Sequence, residues 1–522
     1  MKIALAQSNY TIGDFDGNKT KIINNINLAK EQGANLVVFS ELAISGSHAY
    51  DLLNKVTFLD LCEEALVEIA SYCDDISVLV GLPVACEGKT ISAAALIQDR
   101  KIVRYIGKKN VNSRDEINFI APSKGCEYIT VCDHKFAVVV GEDILAEQEF
   151  GEYADTVINL AGSSYSRGII ERRYEYYKKL AFTSNKNVVY INSLGGNTDV
   201  VGDGSSAAFN KAGNVICLLK SFKEDLQVVD IDNSEAIELP LQNRNANTYC
   251  AIKLGLKDYF EKSGFTKACL GLSGGVDSAV VAALATEVLG AENVRVFMMP
   301  SQFSSDHSVD DAVKLAEKLG IKYDIVPITP SYRAVLDSLN PVFGEMPFDV
   351  TEENIQARIR AVLIMALSNK FNHIVLNTSN KSEGAVGYGT MYGDCIGSFS
   401  ILGDLYKIEV FELARYINRN GEIIPENTIT KAPSAELRPE QVDSDSLPPY
   451  DVLDAILYRM IEKKQHREEI INAGFDAQTV YKVYNMIKSN EYKRQQFCPT
   501  LRMSSCSFGK GRIMPLTSKY GF

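Results

Sequence analysis

The chain has 522 residues, 46% of them hydrophobic, which is enough to bury large cores and argues for two or more domains. Its 54 basic and 66 acidic residues leave a net charge of −12 with no long Lys/Arg cluster, which argues against a nucleic-acid or anionic-membrane partner. Eleven cysteines, an odd number without a Cys-x-x-Cys pair, point to a reducing, cytoplasmic setting rather than a disulfide framework or a zinc site.

The first residues, Met1 to Gln7, read as a strand rather than a signal peptide, and no apolar run approaches the length of a membrane span. Short β-rich runs at 3–6, 36–39, 76–81, 94–97, 136–140, 156–160 and 188–192 alternate with helical stretches, which predicts an α/β first half over 1–232. A mixed, Asn-rich linker at 233–247 leads to an amphipathic helix at 249–262. From 248 to 522, strands at 294–298, 323–328 and 374–377 separated by helices at 308–319 and 352–368 predict a doubly wound parallel sheet with its ligand site at the strands' carboxyl ends. The tail after Lys431 begins as loop and turns helical.

The most informative segment joins an apolar run, Ala268 to Leu272, to the helical run Ala279 to Leu284 through Ser273-Gly274-Gly275-Val276-Asp277-Ser278. Glycines let backbone N–H groups approach a polyphosphate, Ser273 and Ser278 add hydroxyls, and the helix N-terminus favours negative charge. Asp277 would repel a phosphate unless it holds a bridging divalent cation such as Mg²⁺. No Lys-Ser/Thr pair follows the second glycine, so this is not a Walker A loop. It resembles the pyrophosphate loop of the N-type ATP pyrophosphatases.

Three further constellations accompany it. Asn354 and Arg358 lie four residues apart, on one face of a helix. Thr378-Ser379-Asn380-Lys381-Ser382-Glu383 follows a strand and delivers a hydroxyl, a cation and a carboxylate, making Glu383 a candidate second metal ligand with Asp277. Near the end, Lys510 and Arg512 are two cations on a glycine-flanked loop. These motifs, with Gly387-Tyr388, Tyr392-Gly393-Asp394, Gly403-Asp404-Leu405-Tyr406-Lys407, Pro433-Ser434-Ala435-Glu436-Leu437 and Leu447-Pro448-Pro449-Tyr450, stand in the order seen in NAD synthetases, which the chain resembles from about Thr248 onward. The resemblance implies adenylation of the carboxylate of deamido-NAD by ATP with Mg²⁺, followed by displacement of AMP by ammonia. It assigns Ser273, Gly274, Gly275, Asp277, Ser278 and Thr378 to ATP, Asp277 and Glu383 to Mg²⁺, and Asn354, Arg358, Glu383 and Lys510 to deamido-NAD. Lys381 and Lys407 become the candidates for neutralising developing phosphate charge. Ile408 departs from the Thr usual in the family at that place.

The first half, over about Met1 to Asp232, resembles the nitrilase-like glutaminase domain of the larger NAD synthetases, an α-β-β-α sandwich in which a Glu, a Lys and a Cys release ammonia from glutamine. Glu41 carries the Glu, and Lys108 or Lys109 the Lys, although the Leu-Pro-Asn expected after it is absent. Where the family has Cys-Glu-Asp-Ile-Trp, this chain reads Gly141-Glu142-Asp143-Ile144-Leu145. Acyl transfer through a thioester needs a thiolate, and glycine has none. The resemblance therefore implies an NAD synthetase that uses free ammonia and keeps a vestigial amidase site at Glu41, Lys108 or Lys109, and Gly141. It also implies a homo-oligomer, up to an octamer. The alternatives are glutamine dependence through an unrecognised nucleophile or a partner, and a nucleotide-binding regulator without turnover.

Overall fold

In the computed structural model, which describes residues 1–146 and 150–519, the chain divides into two compact units, Met1–Tyr259 and Phe260–Phe522. Among the described residues no helix is long and apolar enough to cross a membrane.

The first unit is built on two six-stranded sheets. One runs, in spatial order, Asp225–Asp230, Lys2–Gln7, Leu36–Phe39, Ser77–Cys86, Lys89–Gln98, Lys101–Gly107; the other runs Val215–Leu218, Ala207–Phe209, Asn187–Ile191, Thr156–Leu160, His134–Val140, Glu127–Val131. The central strands of each are parallel and the flanking ones antiparallel. Side chains alternate faces along a strand, so Ile3, Leu5 and Val38 meet Phe136, Val138 and Ile158 in the core between the sheets. On the outer face Ala4, Val37 and Phe39 pack with Ile22 and Ile26 of the helix Phe15–Glu31 and Phe58 and Leu66 of the helix Val56–Ala70. Helix Ile169–Ser184 covers the second sheet, with the Tyr177 and Tyr190 ring centroids 4.4 Å apart. The result is an α-β-β-α sandwich, and burial on both faces explains why Leu36-Val37-Val38-Phe39 is an unbroken apolar run.

The second unit carries a five-stranded, all-parallel sheet in the order Lys322–Ile325, Val294–Met298, Ala268–Gly271, Ile374–Asn377, Phe399–Ser400. The chain winds outward from the central strand in one direction and then crosses to the other side, so the topological switch lies between Ala268–Gly271 and Ile374–Asn377. Helices Tyr450–Ile461 and Ala477–Ser489 form a separate apolar cluster through Leu453, Ile456, Val480 and Val483.

Several expected boundaries shift; the strands expected at 76–81 and 94–97, for example, run Ser77–Cys86 and Lys89–Gln98. The helix expected at 249–262 is Arg244–Ser263, because the Asn243 carboxamide accepts from the Ala246 N–H and starts it earlier, inside the expected linker. The strand expected at 323–328 is Lys322–Ile325, because the next helix, Thr329–Phe343, begins at once with Pro330 in its first turn.

Candidate functional site

A cavity of about 1440 Å³ opens at the switch point of the second unit. That is larger than a single drug-sized ligand needs and suits two nucleotide-sized substrates. Its floor is the loop after the central strand. Gly274 sits at φ +79, and a Cβ there would lie 2.3 Å from the Ser308 carbonyl oxygen, so only glycine fits. The Ser273 and Ser278 hydroxyls are 3.2 Å apart, and the Gly275 N–H donates to the Ser273 hydroxyl at 3.2 Å. Helix Val276–Leu289 starts here, so its unpaired N–H groups face the loop.

Asp277 and Glu383 meet on one cation. Lys407 Nζ donates to Asp277 Oδ2 at 2.5 Å and lies 3.5 Å from Glu383 Oε1. Asn380 orients both acids. It caps the helix Lys381–Val386, accepting from the Glu383 N–H, while its amide nitrogen donates to Asp277 Oδ1 at 3.0 Å. Burial pushes the Glu383 carboxyl up to about 8 against the pull of Lys407, with the charges of Asp277 and Asp443 adding to the rise. For Lys407 burial works the other way, yet Asp277 and Glu383 hold its ammonium above the ordinary value. Lys407 is fixed in turn by its backbone: its N–H donates to the Ser382 hydroxyl, which donates to Asp454, and Asp454 also accepts from the Ile408 N–H. Ile408 thus serves through its backbone where the family's threonine would add a hydroxyl.

Thr378 and Asn354 line the cavity, and Asn354 Oδ1 accepts from the Thr390 hydroxyl at 2.7 Å. Three expected residues are placed elsewhere. Lys381 is fully buried outside the cavity wall, donating to Glu462 at 2.5 Å and Ser504 at 2.8 Å and lying 2.7 Å from Asp404. Residues two apart on a helix do not share a face, so Lys381 cannot follow Glu383 into the site. Arg358 is exposed and donates to the Met391 carbonyl; the cavity face of its helix runs through Glu353, Asn354, Ala357 and Arg360. Arg360, unnoticed in the sequence, is the arginine of this helix that lines the cavity. Lys510 is exposed and outside the cavity lining. Among the described residues no group of three or more His, Cys, Asp or Glu gathers as a metal cage. The Asp277–Glu383 pair therefore suits a cation that takes one or two carboxylates and completes its shell with phosphate and water.

The first unit holds a second cluster. Lys108, 2% exposed, donates to Glu41 Oε1 at 3.2 Å and to both Glu116 oxygens at 2.9 and 2.8 Å. Glu41 also accepts from the Ser92 hydroxyl at 2.7 Å. This selects Lys108 over Lys109, whose backbone N–H instead donates to Asp143. Glu116 went unnoticed in the sequence, although Asp115-Glu116 eight residues after Lys108 was a visible signal. Burial would depress the Lys108 ammonium, but Glu41 and Glu116 hold it above its ordinary value. Gly141 ends the strand His134–Val140 at φ +60, its N–H donating to the Leu160 carbonyl at 2.7 Å. A Cβ there would point at the pair, 2.6 Å from Lys108 Nζ and 2.7 Å from Glu41 Oε2.

The two units define an ATP-pyrophosphatase-like domain joined to a nitrilase-like one, the architecture of a two-domain carbon–nitrogen ligase. Residues 2–240 match the carbon-nitrogen hydrolase family and 248–497 the NAD synthase family. The chain is 39% identical to the glutamine-dependent NAD(+) synthetase of Synechocystis sp., and 37% to that of Thermotoga maritima, over at least 99% of each chain. It is similar to the structure of glutamine-dependent NAD+ synthetase from Acinetobacter baumannii in complex with ADP, at 37% identity and TM-score 0.79, covering 99% of this chain and 98% of that one. The enzyme of that name from Cytophaga hutchinsonii, 22% identical with TM-score 0.85, shares the fold over 99% of this chain and 98% of its own. The chain belongs to the family of two-domain NAD synthetases.

Proposed function

We propose that this chain amidates deamido-NAD to NAD with ATP, releasing AMP and pyrophosphate, and takes free ammonia as its nitrogen donor. The observation that carries the donor assignment is Gly141, a residue without a side chain at the point where Glu41 and Lys108 converge. Cys132 lies in the turn before His134, beyond the far end of the strand His134–Val140, and the strand alone separates it from Gly141 by roughly 23 Å at 3.3 Å per residue.

In this reading the loop from Ser273 to Ser278 cradles the ATP phosphates, Thr378 contacts the nucleotide, and Asn354 and Arg360 face deamido-NAD. The A. baumannii relative, solved with ADP, supports an adenine nucleotide here. Asp277 and Glu383 would hold Mg²⁺, which supplies charge neutralisation on the phosphates. Lys407, already between those acids, lies where it can turn to a phosphate oxygen as charge develops. A carboxylate is a poor electrophile until it carries a leaving group, and no protein nucleophile is needed to give it one. The site's work is alignment and electrostatic screening of two anionic substrates. Lys381 takes no part in it. The sandwich unit is kept as scaffold and as the surface for a homo-oligomer.

Glutamine dependence is the second reading, favoured by the names of the relatives at 37–39% identity; it requires a nucleophile from elsewhere in the chain or from a partner. The reaction class is tested by following deamido-NAD, ATP and Mg²⁺ with ammonium: NAD, AMP and pyrophosphate should appear in equal amounts. ADP as the nucleotide product, or no NAD, would remove the assignment.

A further inference from the structure

The helix Lys407–Ile417 begins at the residue whose ammonium holds Asp277 and Glu383, and that start has no side-chain cap of its own. Tyr406 stands at the N-cap and its side chain makes no cap hydrogen bond, while Ile408 offers no hydroxyl. The first N–H groups of a helix need acceptors from elsewhere. Here two other elements supply them. The Lys407 N–H donates to the Ser382 hydroxyl at 2.8 Å, and the Ile408 N–H donates to Asp454 Oδ2 at 2.9 Å. Ser382 closes the circuit by donating to Asp454 Oδ1 at 2.5 Å.

Ser382 stands in the first turn of the helix Lys381–Val386, directly before Glu383. One carboxylate therefore ties together the two helix starts that carry Glu383 and Lys407. Ser382, Lys407 and Asp454 are all buried, and neither Ser382 nor Asp454 is among the residues of the cavity wall, so neither touches a substrate. Asp454 has a rigid base: Leu453, Ile456 and Leu457 of its own helix are fully buried and pack in one cluster with Ala385 and Val386. Burial pushes the Asp454 carboxyl up to about 6, while the Ser382 hydroxyl, the Ile408 N–H and the Lys407 ammonium pull it back. Ionised, it is an acceptor at both oxygens, which the circuit requires. An asparagine there would keep an oxygen for Ile408 but turn an amide donor towards Ser382, leaving the serine hydrogen without an acceptor.

We propose that Asp454 is a positioning residue for the adenylation step: through Ser382 and the Ile408 N–H it fixes the Lys407 backbone against the helix of Glu383, and so sets the place of the Lys407 ammonium between the two acids. This rests on the NAD synthetase reading given above. A lysine stem is flexible, so where the ammonium can stand depends on where the stem begins, and a displacement of about 1 Å far from the chemistry can cost about a hundredfold in rate.

The test is steady-state kinetics of the full chain for wild type, Asp454→Asn, Ser382→Ala and the double variant, at a temperature below every melting transition. In each single variant kcat for NAD formation and the rate of ATP–pyrophosphate exchange should fall tenfold or more, with the Michaelis constants for ATP and deamido-NAD within threefold of wild type. Because both changes break one circuit, the double variant should be no more than threefold below the slower single one. Wild-type kcat in Asp454→Asn, Michaelis constants that rise while kcat holds, or a double variant that loses the product of the two single effects overturns the inference. If Asp454→Asn does not fold, Ser382→Ala decides: the same loss of kcat supports the inference and wild-type turnover overturns it. Wild type that forms no NAD overturns the function reading and this inference with it, whereas active wild type matched by Asp454→Asn overturns this inference alone.

Discussion

Gly141 and Lys108 approach so closely that a Cβ on the glycine would stand 2.6 Å from the lysine Nζ. The lysine head is held there by Glu41 and Glu116, both within 3.2 Å. The space a side chain would need is therefore already taken up by a closed, buried ion cluster. Gly141→Cys should for this reason give no more than trace glutamate release from glutamine. It should also cost about 1–2 kcal/mol of stability, since the left-handed backbone at φ +60 is strained for any residue with a Cβ. Glutamate release approaching the rate of NAD formation in this variant would show the cluster to be open and poised.

Asp277→Ala and Glu383→Ala should each lower NAD formation by at least about a hundredfold, because several kcal/mol of charge stabilisation is at stake and about 1.4 kcal/mol is worth tenfold. The loss should appear equally in ATP–pyrophosphate exchange, with the melting temperature near that of the wild type. Full exchange in either variant would separate the acid from the nucleotide.

Lys381→Ala should act on stability instead. It leaves the Asp404 and Glu462 carboxylates buried without their cation, at a cost of about 3–5 kcal/mol, which is roughly 10 °C in melting temperature for a domain of this size. A variant that melts like the wild type but has lost turnover would return Lys381 to the catalytic list.

The Glu116 carboxyl is pushed up from its usual value to about 7, chiefly by burial, with Glu41 adding and Lys108 opposing. The native state then binds this proton more tightly than the unfolded state does, so the group's contribution is full below the usual carboxylate range and is lost as pH rises towards 7. Glu116→Gln should remove that slope. Urea melts between pH 4.5 and 8 should show the difference between wild type and variant changing across this window and flat above it; a constant difference throughout would count against the shift.

Much of this architecture was legible because its signals are local. The phosphate loop is six consecutive residues between a strand and a helix, and Asn354 lies in the second turn of one unbroken helix, Val350–Phe371. The expected residues that lie outside the cavity wall are those whose expectation rests on proximity in sequence. Lys381 is two residues from Glu383, but a helix turns them apart. Arg358 stands four residues after Asn354 and Arg360 three after Ala357, so spacing admits both; the structure separates them, with Arg358 turned to the Met391 carbonyl and Arg360 on the cavity wall. The choice of Lys108 over Lys109 and the role of Glu116 depend on three segments meeting across the sandwich, which no single window of sequence contains.

The nitrogen donor is decided most directly by one comparison. Purified full-length protein is given deamido-NAD, ATP and Mg²⁺ with either ammonium or ammonia-free glutamine, and NAD and glutamate are measured together. Robust NAD formation with ammonium and little or none with glutamine is the expected result. NAD formed from glutamine at a comparable rate, with one glutamate released per NAD by this chain alone, would contradict it and require a nucleophile other than residue 141.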